Sequence, residues 1–261
     1  MPYNVLFLDI DGTILKPDHT YSPSTKDAIA QLKEKGIEVF LATGRPIHEI
    51  AELAEELGVN SFIGYNGAHA IYQNESIINE PLDTNTVTEF LKVAESNRNE
   101  LVLYTNEKNY FTTFETPEVQ QFIEKFQMKE NEAFSLDIVD HVLGGTVINM
   151  QPAEVPLYEI EADIHLSQVN IEGVKHCYDI IRKAVNKGEA IKQVLKRLNI
   201  PAENAIAFGD GMNDKEMLQV AGVGFAMGNA SPELFKYANR RTTSVEESGI
   251  FNGLKELGLV K

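Results

Sequence analysis

The sequence predicts an α/β protein with a parallel sheet drawn from two separated chain segments and an α+β module inserted between them. Three observations carry this. Apolar runs of strand length alternate with amphipathic helical patterns through residues 1–81, and the alternation resumes over 186–261. Between them, over 82–185, strands and helices follow one another without that order. Regular strand–helix alternation implies right-handed crossovers and a parallel sheet.

Each element has its own signal. Residues 5–9 are an apolar run ending in Asp9, the pattern of a strand covered on both faces. Residues 24–35 place Ala28, Ile29 and Leu32 at helical spacing, and Gly36 stops them. Residues 37–42 form a second strand, 47–57 a helix stopped by Gly58, and 61–65 a short third strand. In the inserted stretch, 87–96 and 119–126 read as helices. There, 100–104, 110–114, 146–151, 164–171 and 175–180 read as strands. The last segment brings a helix over 187–198, a strand over 205–209, a helix over 213–220 and a strand over 223–227.

Composition narrows the function. The 261 residues are 43% hydrophobic, enough for a sizeable core. A net charge of -16, from 23 basic against 39 acidic residues, argues against nucleic acid and anionic membranes, which need a basic footprint. Acidic residues outnumber basic ones more steeply in 82–185 than elsewhere. The lone cysteine, Cys177, can form no intrachain disulfide, which fits a reducing compartment. No leader pattern opens the chain and no apolar stretch is long enough to span a membrane, so a soluble, cytoplasmic protein is expected. The residues carry no signal for oligomeric state.

The chemistry gathers where the strands end. Parallel sheets of this kind bind ligands beyond the carboxyl ends of their strands. The first strand is followed by Asp9 and Asp11, the second by Thr43, Gly44 and Arg45, and the third by Asn66 and Gly67. Strand 205–209 is followed by Asp210, Asn213 and Asp214. One such turn would be ordinary turn chemistry; four on one sheet edge point to a site. Four aspartates together repel one another unless a cation joins them. Asp9, Asp210 and a backbone carbonyl near Asp11 suit Mg²⁺, which takes oxygen ligands and keeps several waters. The six histidines show no zinc-ligand spacing. Thr43, the Gly44 backbone, the helix start after Arg45 and Lys187 suit a phosphate. There is no G-x-x-x-x-G-K-[ST] loop, and no G-x-G-x-x-G follows a strand. Asn66 either touches substrate or caps a turn. Arg182 and Lys183 either meet a second anionic group or stand as surface charges beside a hinge.

These residues resemble the four signatures of the haloacid dehalogenase (HAD) superfamily. DIDGT at 9–13 is similar to its first motif, Thr43 in ATGR to its second, Lys187 in NKGEAI to its third, and GDGMND at 209–214 to its fourth. The insertion between the second and third resembles the type 2 cap of Cof-like phosphatases. The resemblance implies a Rossmann-like core of 1–81 and 186–261 with an α+β cap domain of 82–185, hinged near Pro81 and Lys183–Asn186. It also implies an Mg²⁺-dependent phosphatase acting on small phosphorylated metabolites such as sugar phosphates. Asp9 would be the nucleophile, forming an aspartyl-phosphate, and Asp11 the general acid and base. Ile10, Thr43, Gly44, Arg45, Lys187 and Asn213 would surround the phosphoryl oxygens. Asp9, the Asp11 carbonyl and Asp210 would hold the metal, and Asp214 would hold its water. A phosphomutase and a catalytically idle binding module remain the rival readings.

Overall fold

The structure, a computed structural model, describes residues 3–169 and 171–261. Asn170, within the strand expected over 164–171, lies outside them, as do Met1 and Pro2 of the segment 1–81. The strands run β1 (Val5–Leu8), β2 (Glu38–Ala42), β3 (Phe62–Gly64), β4 (His69–Tyr72) and β5 (Glu75–Asn79). Next come β6 (Glu100–Tyr104), β7 (Asn109–Phe111), β8 (Asn131–Ala133), β9 (Gly144–Ile148), β10 (Ile164–Gln168) and β11 (Tyr178–Arg182). β12 (Ala205–Gly209), β13 (Val223–Ala226) and β14 (Arg240–Arg241) complete the series. The helices are α1 (Pro23–Glu34), α2 (Ala51–Leu57), α3 (Thr84–Asn97), α4 (Pro117–Phe126), α5 (Val155–Tyr158), α6 (Lys187–Leu198), α7 (Lys215–Val220) and α8 (Gly249–Glu256).

Among the described residues these strands form two sheets, and the chain divides into two compact units. Of the described residues, the first unit holds 3–45, 50–78 and 186–261. Its sheet has the order β14-β13-β12-β1-β2-β3-β4-β5, parallel from β14 to β3 and antiparallel where β4 joins. The α/β class with a parallel sheet is therefore the observed one. β1 lies between β2 and β12, with Val5 opposite Glu38 on one side and Ala205 on the other. The first chain segment extends the sheet in one direction from β1 and the last segment extends it in the other. That reversal opens a crevice at the carboxyl end of β1.

Burial on both faces explains the apolar runs. By strand alternation, Val5 and Phe7 share a core with Phe40, Ile63, Ile191, Val194 and Met217. Leu6 and Leu8, equally buried, point to the opposite face. Each such side chain contributes roughly 1.5–3 kcal/mol of burial. α6 begins at Lys187 because the Asn186 side chain accepts a hydrogen bond from the Glu189 N–H at 3.0 Å.

Of the described residues, the second unit holds 79–169 and 171–185 together with 46–49. Its sheet, β10-β11-β9-β6-β7-β8, is antiparallel except where β7 meets β8. One face carries Leu101, Leu103, Val147 and Ile180 in a core with Val87 and Phe90 of α3. The other packs Val102, Phe111 and Ile148 with Val119 and Phe122 of α4. The expected helix over 47–57 is split: Ile47–Ile50 is a 3-10 turn, and α2 starts at Ala51. Buried Asn109 explains the split, since it bonds both His48 and Glu49. Arg182 donates to the carbonyls of Glu80 and Pro81, and Lys183 donates to that of Ala162.

Other differences are local. The strand expected over 175–180 runs from Tyr178 to Arg182, because residues 174–177 close a turn through the Cys177 N–H and the Val174 carbonyl. The β4–β5 hairpin was not legible: its turn is Gln73-Asn74, both with positive φ, rather than a glycine-bearing pair.

One partly buried network in the second unit has a measurable consequence. Thr146 Oγ1 donates to Asp179 Oδ1 at 2.6 Å and stands 2.8 Å from Tyr104 Oη. Burial raises the Asp179 carboxyl, against the lowering effect of the Thr146 bond. A carboxyl raised in the folded state binds its proton more tightly folded than unfolded, so it destabilises the fold above that value. Asp179→Asn is expected to stabilise the protein by about 1 kcal/mol at neutral pH. The gain should fade as pH falls through the folded-state value. Thermal unfolding of both proteins from pH 4 to 8 checks this; a variant no more stable at pH 8 would refute it.

Candidate active site

Asp9 follows β1 directly, is 5% exposed, and is tied to β12 by its N–H on the Phe208 carbonyl at 3.0 Å. Lys187, fully buried, bridges two carboxylates: its Nζ is 2.6 Å from Asp9 Oδ1 and 2.6 Å from Asp214 Oδ1. Asp214 is itself fixed, because its Oδ2 accepts the N–H groups of Asp210 and Gly211, each at 3.0 Å. A rigid line therefore runs from the turn after β12 through Asp214 and Lys187 to Asp9. That capture of the backbone is why residues 212–214 form a 3-10 turn and α7 starts at Lys215, within the helix expected over 213–220.

Asp210 lies beside this line. Its Oδ1 accepts from Thr13 Oγ1 and its Oδ2 from Asn229 Nδ2, both at 3.2 Å. Asn229 also donates to the Gly12 carbonyl at 2.8 Å and accepts from the Val245 N–H at 2.9 Å. Gly12 has φ +83°, and a Cβ there would stand 2.1 Å from Asp210 Oδ2. Only glycine allows both that turn and that approach.

The electrostatics follow from three carboxylates sharing one lysine. Asp9 is raised well above the usual carboxylate range, first by burial and then by the charge of Asp214, with Lys187 opposing. Asp210 is pushed up to about 6, by burial and then by Asp214. Burial lowers the Lys187 ammonium, but Asp214 and Asp9 outweigh it and its value ends above the usual lysine range. Asp9, Asp210 and Asp214 each offer an oxygen within 4.8 Å of the others. An all-carboxylate donor set with surplus negative charge fits a hard divalent cation such as Mg²⁺.

Thr43 is buried at the end of β2, and its Oγ1 accepts the Arg45 N–H at 3.0 Å. As acceptor there, the hydroxyl keeps its own hydrogen to donate. Gly44 follows, with the Asn66 amide 3.0–3.4 Å from where its Cβ would be. Asn66 Oδ1 accepts from Asn213 Nδ2 at 3.2 Å. Ile10 is buried beside Asp9. Arg45 does something the sequence did not suggest: its guanidinium forks onto Asp11, Nε at 2.7 Å and Nη2 at 2.5 Å. Asp11 itself is exposed. The structure thus brings Asp9, Lys187, Asp210 and Asp214 together, with Thr13 on Asp210, and it pairs Asp11 with Arg45. Sequence reasoning missed Asn229. Its signal was available, since it lies just past β13, one more strand end on the same edge.

The family model for haloacid dehalogenase-like hydrolases matches residues 6–254, and the chain belongs to that family. The Cof-like character expected from the insertion between the second and third motifs is found with it. Putative phosphatase YkrA of Bacillus subtilis (strain 168) is 33% identical over the full length of both chains. The 5-amino-6-(5-phospho-D-ribitylamino)uracil phosphatase YitU of the same organism is 28% identical, covering 98% of this chain and 97% of its own. Among solved structures, the HAD subclass IIB sugar phosphatase BT4131 superimposes with a TM-score of 0.83 at 24% identity, over 98% of this chain and 100% of its own. That likeness is one of fold. Among the described residues no helix is long and apolar enough to cross a membrane.

Proposed function

We propose that this chain is an Mg²⁺-dependent phosphatase that hydrolyses small phosphorylated metabolites, sugar phosphates or similar phosphomonoesters, through an aspartyl-phosphate on Asp9. The observation that carries the reading is a buried strand-end carboxylate with one oxygen held by a buried lysine. Lys187 orients Asp9 and works against the burial that would protonate it. A divalent ion held by Asp9, the Asp11 carbonyl and Asp210, with Asp214 behind them, would supply the charge that keeps Asp9 and Asp210 ionised beside a phosphoryl group.

Asp9 would attack phosphorus with its second oxygen, forming the Asp9–phosphorus bond as the bond to the ester oxygen breaks. Asp11 would give the departing oxygen its proton. It would then take one from the water that hydrolyses the acyl phosphate and regenerates Asp9. Both Asp11 oxygens accept from Arg45, so Asp11 must release that fork to serve the leaving group. The Ile10 and Gly44 N–H groups, the Thr43 hydroxyl, Lys187 and Asn213 would bind the phosphoryl oxygens, joined by Arg45 once released. Catalysis on this reading is mainly positioning and fixed charge. Residues 1–81 and 186–261 would carry the chemistry, and 82–185 would act as the cap that selects the substrate. The names of putative phosphatase YkrA and of the phosphatase YitU support the reaction, and YitU's supports a small phosphate ester.

Phosphate release from a panel of sugar phosphates, pyridoxal phosphate and p-nitrophenyl phosphate tests the proposal. Release is expected with Mg²⁺, is expected to vanish with chelator, and should return when Mg²⁺ is restored. Release indifferent to chelator would overturn the metal dependence. Interconversion of sugar phosphate isomers without phosphate release would make the enzyme a mutase, and no reaction with any compound would favour an idle binding module.

A further inference from the structure

After β3 the backbone passes through two consecutive non-glycine residues with positive φ, Tyr65 and Asn66, both at 53°, and then through Gly67 at 114°. Left-handed backbone is costly for residues with a Cβ, and such strain gathers at functional sites. Here the surroundings enforce it. The Tyr65 N–H donates to the Arg45 carbonyl at 3.2 Å and the Asn66 N–H to the Thr43 carbonyl at 3.1 Å. Gly67 presses on the start of α6, where a Cβ would stand 2.5 Å from the Asn186 carbonyl oxygen. The turn is wedged between the Thr43 loop and the helix that carries Lys187.

The wedge aims one side chain. Asn66 Oδ1 accepts from Asn213 Nδ2, a residue 147 positions away. The same amide fills the space beside Gly44 that any side chain there would take. An amide nitrogen has two hydrogens; with one given to Asn66, the orientation of the other is fixed. Resting on the phosphatase reading above, we propose that Asn66 is a positioning residue of the phosphoryl site. It locks the Asn213 amide so that its second N–H faces the phosphoryl oxygens beside Thr43 and Gly44.

The test compares Asn66→Gly, Asn66→Ala and Asn213→Ala with wild type. It uses competitive inhibition by inorganic phosphate, and KM and kcat for p-nitrophenyl phosphate, all with Mg²⁺. Asn66→Gly relieves the positive φ and Asn66→Ala does not, so their melting temperatures should move in opposite directions. Both should nonetheless weaken phosphate binding and raise KM by about 10-fold, the effect of one hydrogen bond to a charged group. kcat should change little, because binding common to ground and transition states is lost. In the Asn213→Ala background, Asn66→Gly should add no further loss. Asn66→Gly with wild-type phosphate affinity would overturn the inference, as would a full additional loss in the Asn213→Ala background. A wild-type enzyme that neither binds phosphate nor releases it from any ester would overturn the phosphatase reading and this inference with it.

Discussion

Replacing Lys187 with methionine is expected to remove about 3–5 kcal/mol of stability at neutral pH and to abolish turnover. The lysine is fully buried and is the shared partner of Asp9 and Asp214. Methionine fills a similar volume, so the loss is one of charge. Without the ammonium, two buried carboxylates face each other with Asp210 alongside. Asp9 is already raised by burial and by Asp214, with Lys187 holding it down, so it should rise further in the variant. A carboxyl raised in the folded state costs stability above that value and recovers it as pH falls. The deficit of Lys187→Met should therefore be largest near pH 8 and shrink toward pH 5. Denaturant unfolding of both proteins, in chelator so that no cation takes the lysine's place, measures it. A deficit under about 1 kcal/mol, or one that does not change with pH, would sink the claim.

Asp9→Asn should separate chemistry from folding in the opposite way. The amide oxygen can still accept from Lys187 and the shape is kept, but the proposed nucleophile is gone. Phosphatase activity should drop by about 10⁴-fold or more, the scale on which removal of a nucleophile acts. Stability in chelator should hold or rise, because one of three crowded negative charges has been removed. Phosphate release and thermal unfolding on the same preparation give both readings. Residual activity within 10-fold of wild type would remove Asp9 from the nucleophile's role, and a large fall in melting temperature would mean that its charge supports the fold.

Lys187 and Asp9 are legible in the sequence, because each lies next to a signal that is local. β1 and β12 are apolar runs, and a run buried on both faces announces a central strand. The polar residue at its carboxyl end then marks the sheet edge where ligands bind. Asp9, Thr43, Asp210 and Asp214 were legible for that reason, and the α/β class followed from the same alternation. Asn229 was less legible because it stands three residues past the end of β13, not directly after the apolar run. The β4–β5 hairpin was missed because Gln73-Asn74 turns without a glycine.

Sequence periodicity reports whether a residue is buried and on which face, and that was enough for the strands, the helices and the edge on which the acids gather. It does not report which side chain meets which. That Arg45 grips Asp11 depends on how the loops after β1 and β2 run once both strands are in register. That Thr13 and Asn229 converge on Asp210 depends on the crossovers that set β12 and β13 beside β1. That Asn66 meets Asn213 depends on a turn in which Tyr65 takes a positive φ that its side chain disfavours, held because the Thr43 loop and the start of α6 close on it from both sides. Such contacts span up to 197 residues, and their geometry exists only after the sheet has formed.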